Sequence, residues 1–411
     1  MARTKRSKPG QGERKVKMMA SASRRKETPE QLYASAIELI EQSQPAEALE
    51  QAKKLWDQVQ ALSVTEALPA INLLGEISVE LGDVAKAREY FQQAAKLDPN
   101  GELPEAIGGG AEKFLWLAQL CEEGGQVSVE WYEKGVKALQ GEIAAIESGK
   151  MRGIDEEALL LMCIEKKRKL ANALCGIVEV YMTDLSWEDD AEVRCESLIT
   201  QAMAVEEETS PEVLQTLASV RLSQERKEDA QSALSRSLAI WKDLEPEDSA
   251  IPDFATRISL SRLLMEAEME EQAMAVLRRL VLDDDQSVEA WYLGGWCQHL
   301  IAEKLNMSSG ANGSHGDMVV DGPESEGSPH DVAMKGSRNW LQMTLKLYAQ
   351  LGYEDQRLHE HAKELVAELD RTLGPDDGDA ECGEEAQWEE WGGLDEDIDQ
   401  GEDADEEMKD S

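Results

Sequence analysis

The sequence is poor in the residues that most site chemistry needs. Histidine occurs five times in 411 residues, and the closest pair, His359 and His361, point to different faces of any helix and so do not share a metal. Six cysteines, at 121, 163, 175, 195, 297 and 382, form no CxxC pair. That excludes a zinc ribbon and a disulfide framework and leaves reduced, buried thiols. Apolar runs are short, and the opening 26 residues are too charged for a signal peptide or a spanning helix, so no membrane association is expected. The Gly108-Gly109-Gly110 run fits neither a phosphate loop nor a dinucleotide fingerprint. Asp395, Asp397, Asp399 and Glu406 have calcium-loop spacing, but the glycine comes one place late, at Gly401, with no flanking helices. No cofactor, metal or catalytic constellation emerges, and an enzyme is not expected.

Positive charge is scarce as well. The chain has 42 Lys+Arg against 84 Asp+Glu, a formal net charge of −42. This argues against direct nucleic-acid binding and against an anionic membrane, and for a basic partner. The charge is unevenly placed: residues 1–26 hold ten Lys/Arg and one acid, and residues 375–411 hold 18 acids and one Lys. The middle still carries 65 acidic and 31 basic residues, so the acidity belongs to the folded part too, where solubility is the competing explanation.

What is present in quantity is a helical repeat. In LLGEISVELGDVAKAREYFQQAAKLDP (73–99) a period of 3.6 gives two amphipathic helices broken at Gly82, with Asp83 capping the second and Pro99 ending it. Small Gly75 and Ala87 let the helices approach, Phe91 fills the space one turn on, and Ala94 leaves room for the next unit. This Leu-Gly, Ala-x3-Phe, Pro order is the tetratricopeptide pattern. Ala36, Ala48 and Ala52 repeat it upstream. Leu217-Ala218, Ala230 and Leu234 repeat it downstream, as do Leu260-Ser261, Ala273 and Leu277. FLWLAQLCEEGGQVSVEWYEKGVKAL, with Ala118 and Tyr132 at the key places, has a turn two residues shorter. EAWYLGGWCQHL begins a last repeat, and residues 154–205 supply another hairpin with a longer turn, extended by the helix EEALLLMCIEKKRKL.

Hairpins with one uncovered apolar face must stack. The expected fold is all-α: a right-handed superhelical solenoid of about six to seven tetratricopeptide repeats over 28–374. A mobile insertion is expected near 306–336 and a capping helix near 354–373. A disordered basic arm (1–27) and a disordered acidic tail (375–411) flank it. Such a chain is expected to be monomeric. The KRSK, RKVK and RRK clusters of the arm fit either nuclear import or an arm folding back on the acidic body.

The segments ETPEQLYASAIELIEQSQPAEALEQA, KLDPNGELPEA, FLWLAQL and EAWYLGGWC follow one another in this order, between a basic start and an acidic tail. Together they resemble the fungal dedicated assembly chaperones of large-subunit ribosomal protein four over nearly the whole chain. The resemblance implies a chaperone that binds a newly made ribosomal protein, chiefly its long basic internal loop, in the concave face. It also implies escort from cytoplasm to nucleus, with a nuclear import receptor as a further partner. In this repeat type the first helix of each hairpin lines the concave side. That family rule selects Tyr33, Ile37 and Glu41; Asn72, Glu76 and Glu80; Gln119, Glu122 and Glu123; Ile258, Arg262, Met265 and Glu266; and Tyr292 and Trp296. Carboxylates interleaved with aromatics and Met hold Lys and Arg by charge-assisted hydrogen bonds and cation–π contact. A solvated acidic face is the alternative for any one of them. Another basic client, such as histones, fits the same charge. A heat-shock co-chaperone would need Lys and Asn where Tyr33 and Ile37 stand.

Overall fold

A computed structural model describes residues 27–374, apart from 150–152, 207–209, 247, 249 and 312–327. The described residues form fifteen α-helices and one short 3₁₀ turn, packed as sequential hairpins. The first four helices are α1 (Pro29–Glu41) with α2 (Pro45–Val59), and α3 (Val64–Glu80) with α4 (Val84–Leu97). Next come α5 (Glu112–Gln119) with α6 (Gly125–Glu147), α7 (Glu156–Met182) with α8 (Ala191–Val205), and α9 (Pro211–Ser223) with α10 (Lys227–Trp241). The last are α11 (Phe254–Glu266) with α12 (Glu270–Asp283), α13 (Val288–Ala311) with α14 (Pro329–Leu351), and α15 (Gln356–Leu373). The chain divides into two compact units between Pro252 and Asp253. The first holds α1 to α10 and the second α11 to α15.

The four copies whose spacing agrees share one turn. Seven residues after the small residue of the first helix, the backbone enters the left-handed region, at Ser43 (φ 57°), Gly82 (φ 70°), Glu225 (φ 59°) and Glu268 (φ 59°). The next N–H then reaches back to a carbonyl of the first helix: Gln44 to Leu39, Asp83 to Ser78, Arg226 to Arg221 and Met269 to Leu264, each at 2.8 Å. These bonds close the last turn of the helix and fix the direction of the return. At Gly82 the conformation costs nothing, and Asp83 caps α4 by accepting from Lys86 N–H at 3.2 Å. The core follows the repeat. Ala36, Ala48, Ala52, Gly75, Ala87, Phe91 and Ala94 are all buried. A Cβ at Gly75 would lie 2.7 Å from the Phe91 ring, so the close helix approach requires glycine there.

The third hairpin departs from the template because its first helix is only eight residues long. A glycine-rich strap, residues 98–111, stands in place of its opening turns. Lys113, fully buried, anchors the strap by donating from Nζ to Asp98 Oδ2 at 2.8 Å and to the Gly110 carbonyl at 2.6 Å. Asp98 in turn accepts from the N–H groups of Glu102 (3.1 Å) and Leu103 (3.4 Å). From the neighbouring α7, Lys166 holds Glu105 of the strap at 2.6 Å and Glu142 of α6 at 2.9 Å. A buried ion pair tolerates its desolvation only when its remaining valences are satisfied, as those of Asp98 are by the backbone N–H groups of Glu102 and Leu103.

The segment EEALLLMCIEKKRKL joins the hairpin after it without a break, and α7 runs for 27 residues. The stretch read as an insertion, 306–336, is helical at both ends, since α13 continues to Ala311 and α14 resumes at Pro329. Helical periodicity there is hidden in the sequence by Gly and Ser, which helices tolerate near their ends. The capping helix is α15, begun by Asp355, whose side chain accepts from Leu358 N–H at 3.0 Å. The basic arm, the acidic tail and residues 312–327 lie outside the described residues.

Candidate functional site

In the first unit, the first helices of four successive hairpins bring charged and aromatic side chains into one strip. Tyr33 on α1 lies close enough to Glu76 on α3 for the carboxylate to raise its phenol pKa, although burial contributes more. Glu76 in turn faces Glu112 at the start of α5. Water reaches the Glu76 side chain, yet the surrounding helices remove enough of its hydration, with the like charge of Glu112 adding, to lift its carboxyl to about 7. Glu112 is held by Lys169 of α7, which also holds Glu165 one turn back at 3.0 Å. Glu179, further along α7, has its carboxyl raised by burial. It lies near Tyr132 of α6, whose hydroxyl is pushed up to about 12, chiefly by burial and then by the Glu179 charge. Gln119, exposed at the end of α5, hydrogen-bonds Tyr132.

The strip is therefore acidic and incompletely compensated. Lys169 is shared by Glu112 and Glu165 and balances only one of the two charges, whereas burial raises the carboxyls of Glu76 and Glu179. Such groups are stabilised by an incoming ammonium or guanidinium, which restores their ionised form.

The remaining sequence-selected residues lie elsewhere. Glu41 and Glu80 end α1 and α3 and are exposed beside the turns. Asn72 is engaged inside the fold: its Nδ2 donates to the Gly108 carbonyl at 2.7 Å and pins the strap. Ile37 packs on the core of the first hairpin. Glu122 and Glu123 are in the turn after α5, because that helix stops at Gln119. Glu122 is exposed and accepts from Arg88 of α4 at 2.8 Å, so it is turned toward a second helix and not along the strip.

In the second unit, Ile258 and Met265 are buried in the core, and Glu266 is exposed as the last residue of α11. Arg262 pairs with Glu289 at the start of α13. Tyr292 and Trp296 are half-buried against the capping helix. Tyr292 Oη is 2.7 Å from His361 Nδ1, and the His361 ring meets both aromatics edge-on, with centroids 5.9 and 5.4 Å away. The aromatic pair thus seats α15. Arg262 is also near enough to influence Tyr292 and Tyr353, both of which burial and Asp355 push upward.

Sequence reasoning missed Glu112, Lys169 and Glu179. The first would have emerged from carrying the template one turn further back, since Glu112 is six before Ala118, the same helix face as the positions three before and one after. Among the described residues, no cluster of His, Cys, Asp and Glu is arranged to hold a metal ion, and no helix is long and apolar enough to cross a membrane.

Comparison with known proteins bears on the same geometry. The tetratricopeptide-repeat family model matches residues 69–100, the strap-preceding hairpin. A protein of Emericella nidulans described as a probable assembly chaperone of rpl4 is 46% identical over 385 residues, 92% of each chain. A protein of Schizosaccharomyces pombe with the same description is 35% identical over 353 residues, 86% of this chain and 93% of that one. A solved structure of the assembly chaperone of RpL4, Acl4 (residues 1–338), is 46% identical, covers 69% of this chain and all of its own, and superposes with a TM-score of 0.62.

Proposed function

We propose a function from one premise: this chain belongs to the family of assembly chaperones of Rpl4. It binds newly made ribosomal protein L4 through that protein's basic, unfolded internal loop. The loop lies along the first-helix strip of the first unit, in a concave groove. Until it reaches ribosomal RNA, such a loop is a polycation without its counter-charge, prone to aggregate or to bind stray RNA. The strip supplies carboxylates in the place of phosphates, with the exposed Tyr33 to stack on guanidinium groups. Binding is then fast and electrostatically steered, and RNA, with its denser charge, competes the client away. The chaperone escorts the client from cytoplasm to nucleus with an import receptor.

The observation that carries this reading is the uncompensated carboxyl of Glu76, raised to about 7 between Tyr33 and Glu112. The test is co-purification of L4 with the full-length chain, compared with a Glu76→Lys/Glu179→Lys variant. The variant should keep its helicity and lose L4 by about tenfold or more in affinity at about 0.15 M salt. Equal recovery of L4 would overturn the groove. Capture of many basic proteins, histones among them, in place of L4 would overturn the dedicated client.

A further inference from the structure

The first half of α7 carries an apolar surface that the described fold leaves open. Leu160, Leu161 and Ile164 are 60%, 62% and 49% exposed, and Ile154, just before the helix, is 40% exposed. The 27 residues of α7 make it the longest described helix, and beyond Leu170 it is largely buried, so the exposed ridge belongs to the extension that precedes the packed hairpin. Residues 160, 161 and 164 are neighbours on a helix surface, at spacings of three and four.

We propose that this ridge is a second contact for the same client, and that it takes a basic amphipathic segment whose apolar side chains cover Leu160, Leu161 and Ile164. The inference rests on the proposed function and adds a non-ionic anchor to it. Two observations specify the occupant. First, the ridge is continuous with the acidic strip: Leu161, Glu165 and Lys169 succeed one another at intervals of four along one face, and Lys169 reaches Glu112 on α5. A segment leaving the strip toward the start of α7 runs onto the ridge. Second, its flanks are predominantly acidic. Asp155, Glu156, Glu157 and Glu165 are all exposed, and the cations one turn on, Lys167 and Arg168, are paired with Glu147 and Glu206, so an apolar partner with Lys or Arg on its margins is favoured. A second copy of this chain is disfavoured by a net charge of −42. Four side chains also offer far less than the roughly 800 Å² per partner of a stable dimer.

A purely ionic groove and an anchored one differ in salt response. Ionic contacts weaken with salt while apolar burial does not. Full-length chain and L4 are therefore titrated at about 0.15 M and about 0.5 M NaCl, using the parent, a Leu160→Ser/Leu161→Ser/Ile164→Ser variant, Leu161→Glu and the Glu76→Lys/Glu179→Lys variant. Exposed positions should tolerate these changes with unchanged helicity. Leu161→Glu adds charge of the attracting sign, so any loss it causes reports the lost apolar contact. The expected result is a loss of about tenfold or more for the ridge variants, larger at high salt, where the parent retains measurable binding. Ridge variants that match the parent at both salts, with the groove variant weakened, overturn the ridge and leave the proposed function standing. If the groove variant also matches the parent, the proposed function falls with it. If light scattering shows a parental dimer that the ridge variants dissociate, the ridge is a self-association surface and the proposal is wrong.

Discussion

Lys113→Met tests the strap most directly. The substitution keeps the length and apolar body of the side chain and removes the charge that meets Asp98 at 2.8 Å and the Gly110 carbonyl at 2.6 Å. Asp98 is 4% exposed and retains only its two backbone N–H donors. Removing one partner of a buried pair leaves an uncompensated charge, which costs about 3–5 kcal/mol. The direction of the Lys113 pKa agrees: burial lowers it more than Asp98 raises it, so the cation is held at a cost that only the pair and its hydrogen bonds offset. Asp98→Asn in the same chain removes the stranded charge while still accepting the backbone bonds. Lys113→Met/Asp98→Asn should therefore be at least about 2 kcal/mol more stable than the two single losses combined. Urea unfolding followed by far-ultraviolet circular dichroism gives the totals. Hydrogen exchange at residues 101–110 reads the strap itself, because repeat arrays need not unfold as one unit. A single-variant loss below about 1 kcal/mol would refute the reasoning, as would simple additivity in the double variant.

Three further outcomes are expected. Glu76 is raised to about 7 in the fold from an ordinary carboxylate value, so the folded state holds an extra proton between those limits and stability falls as pH rises through them. Glu76→Gln should flatten that fall between about pH 5 and pH 8 and also abolish the matching rise in L4 affinity, both readable by thermal unfolding and titration across pH. Glu225→Gly and Glu268→Gly relieve left-handed strain at positions where Gly82 already stands in its own hairpin, and each should stabilise by about 0.5–1 kcal/mol in urea denaturation. Gly75→Val must displace the Phe91 ring, from which even a Cβ would lie at 2.7 Å. It should destabilise by about 2 kcal/mol or more, measured in the same way.

Much of this protein was determined by sequence alone, because its determinants are local. The small residues at Ala36, Gly75, Ala218 and Ser261 and the turns seven residues on are set by side-chain size and helix period within one hairpin, so a single copy of the pattern suffices to read them. The acidic character of the first-helix face and the place of Tyr33 and Glu76 on it come from the same period, and the family resemblance was carried by segments in a fixed order. Other features depend on residues far apart in sequence. Nothing local announces that Asn72 is spent on the Gly108 carbonyl, that Glu122 turns to Arg88, or that Tyr292 and Trp296 seat the capping helix through His361. Each depends on a partner 34 to 69 residues away. The charge state of Glu76 belongs to this class as well. Its carboxyl is raised because neighbouring hairpins crowd it and place Glu112 opposite, and desolvation and Coulomb repulsion are properties of the packed neighbourhood that no single repeat contains.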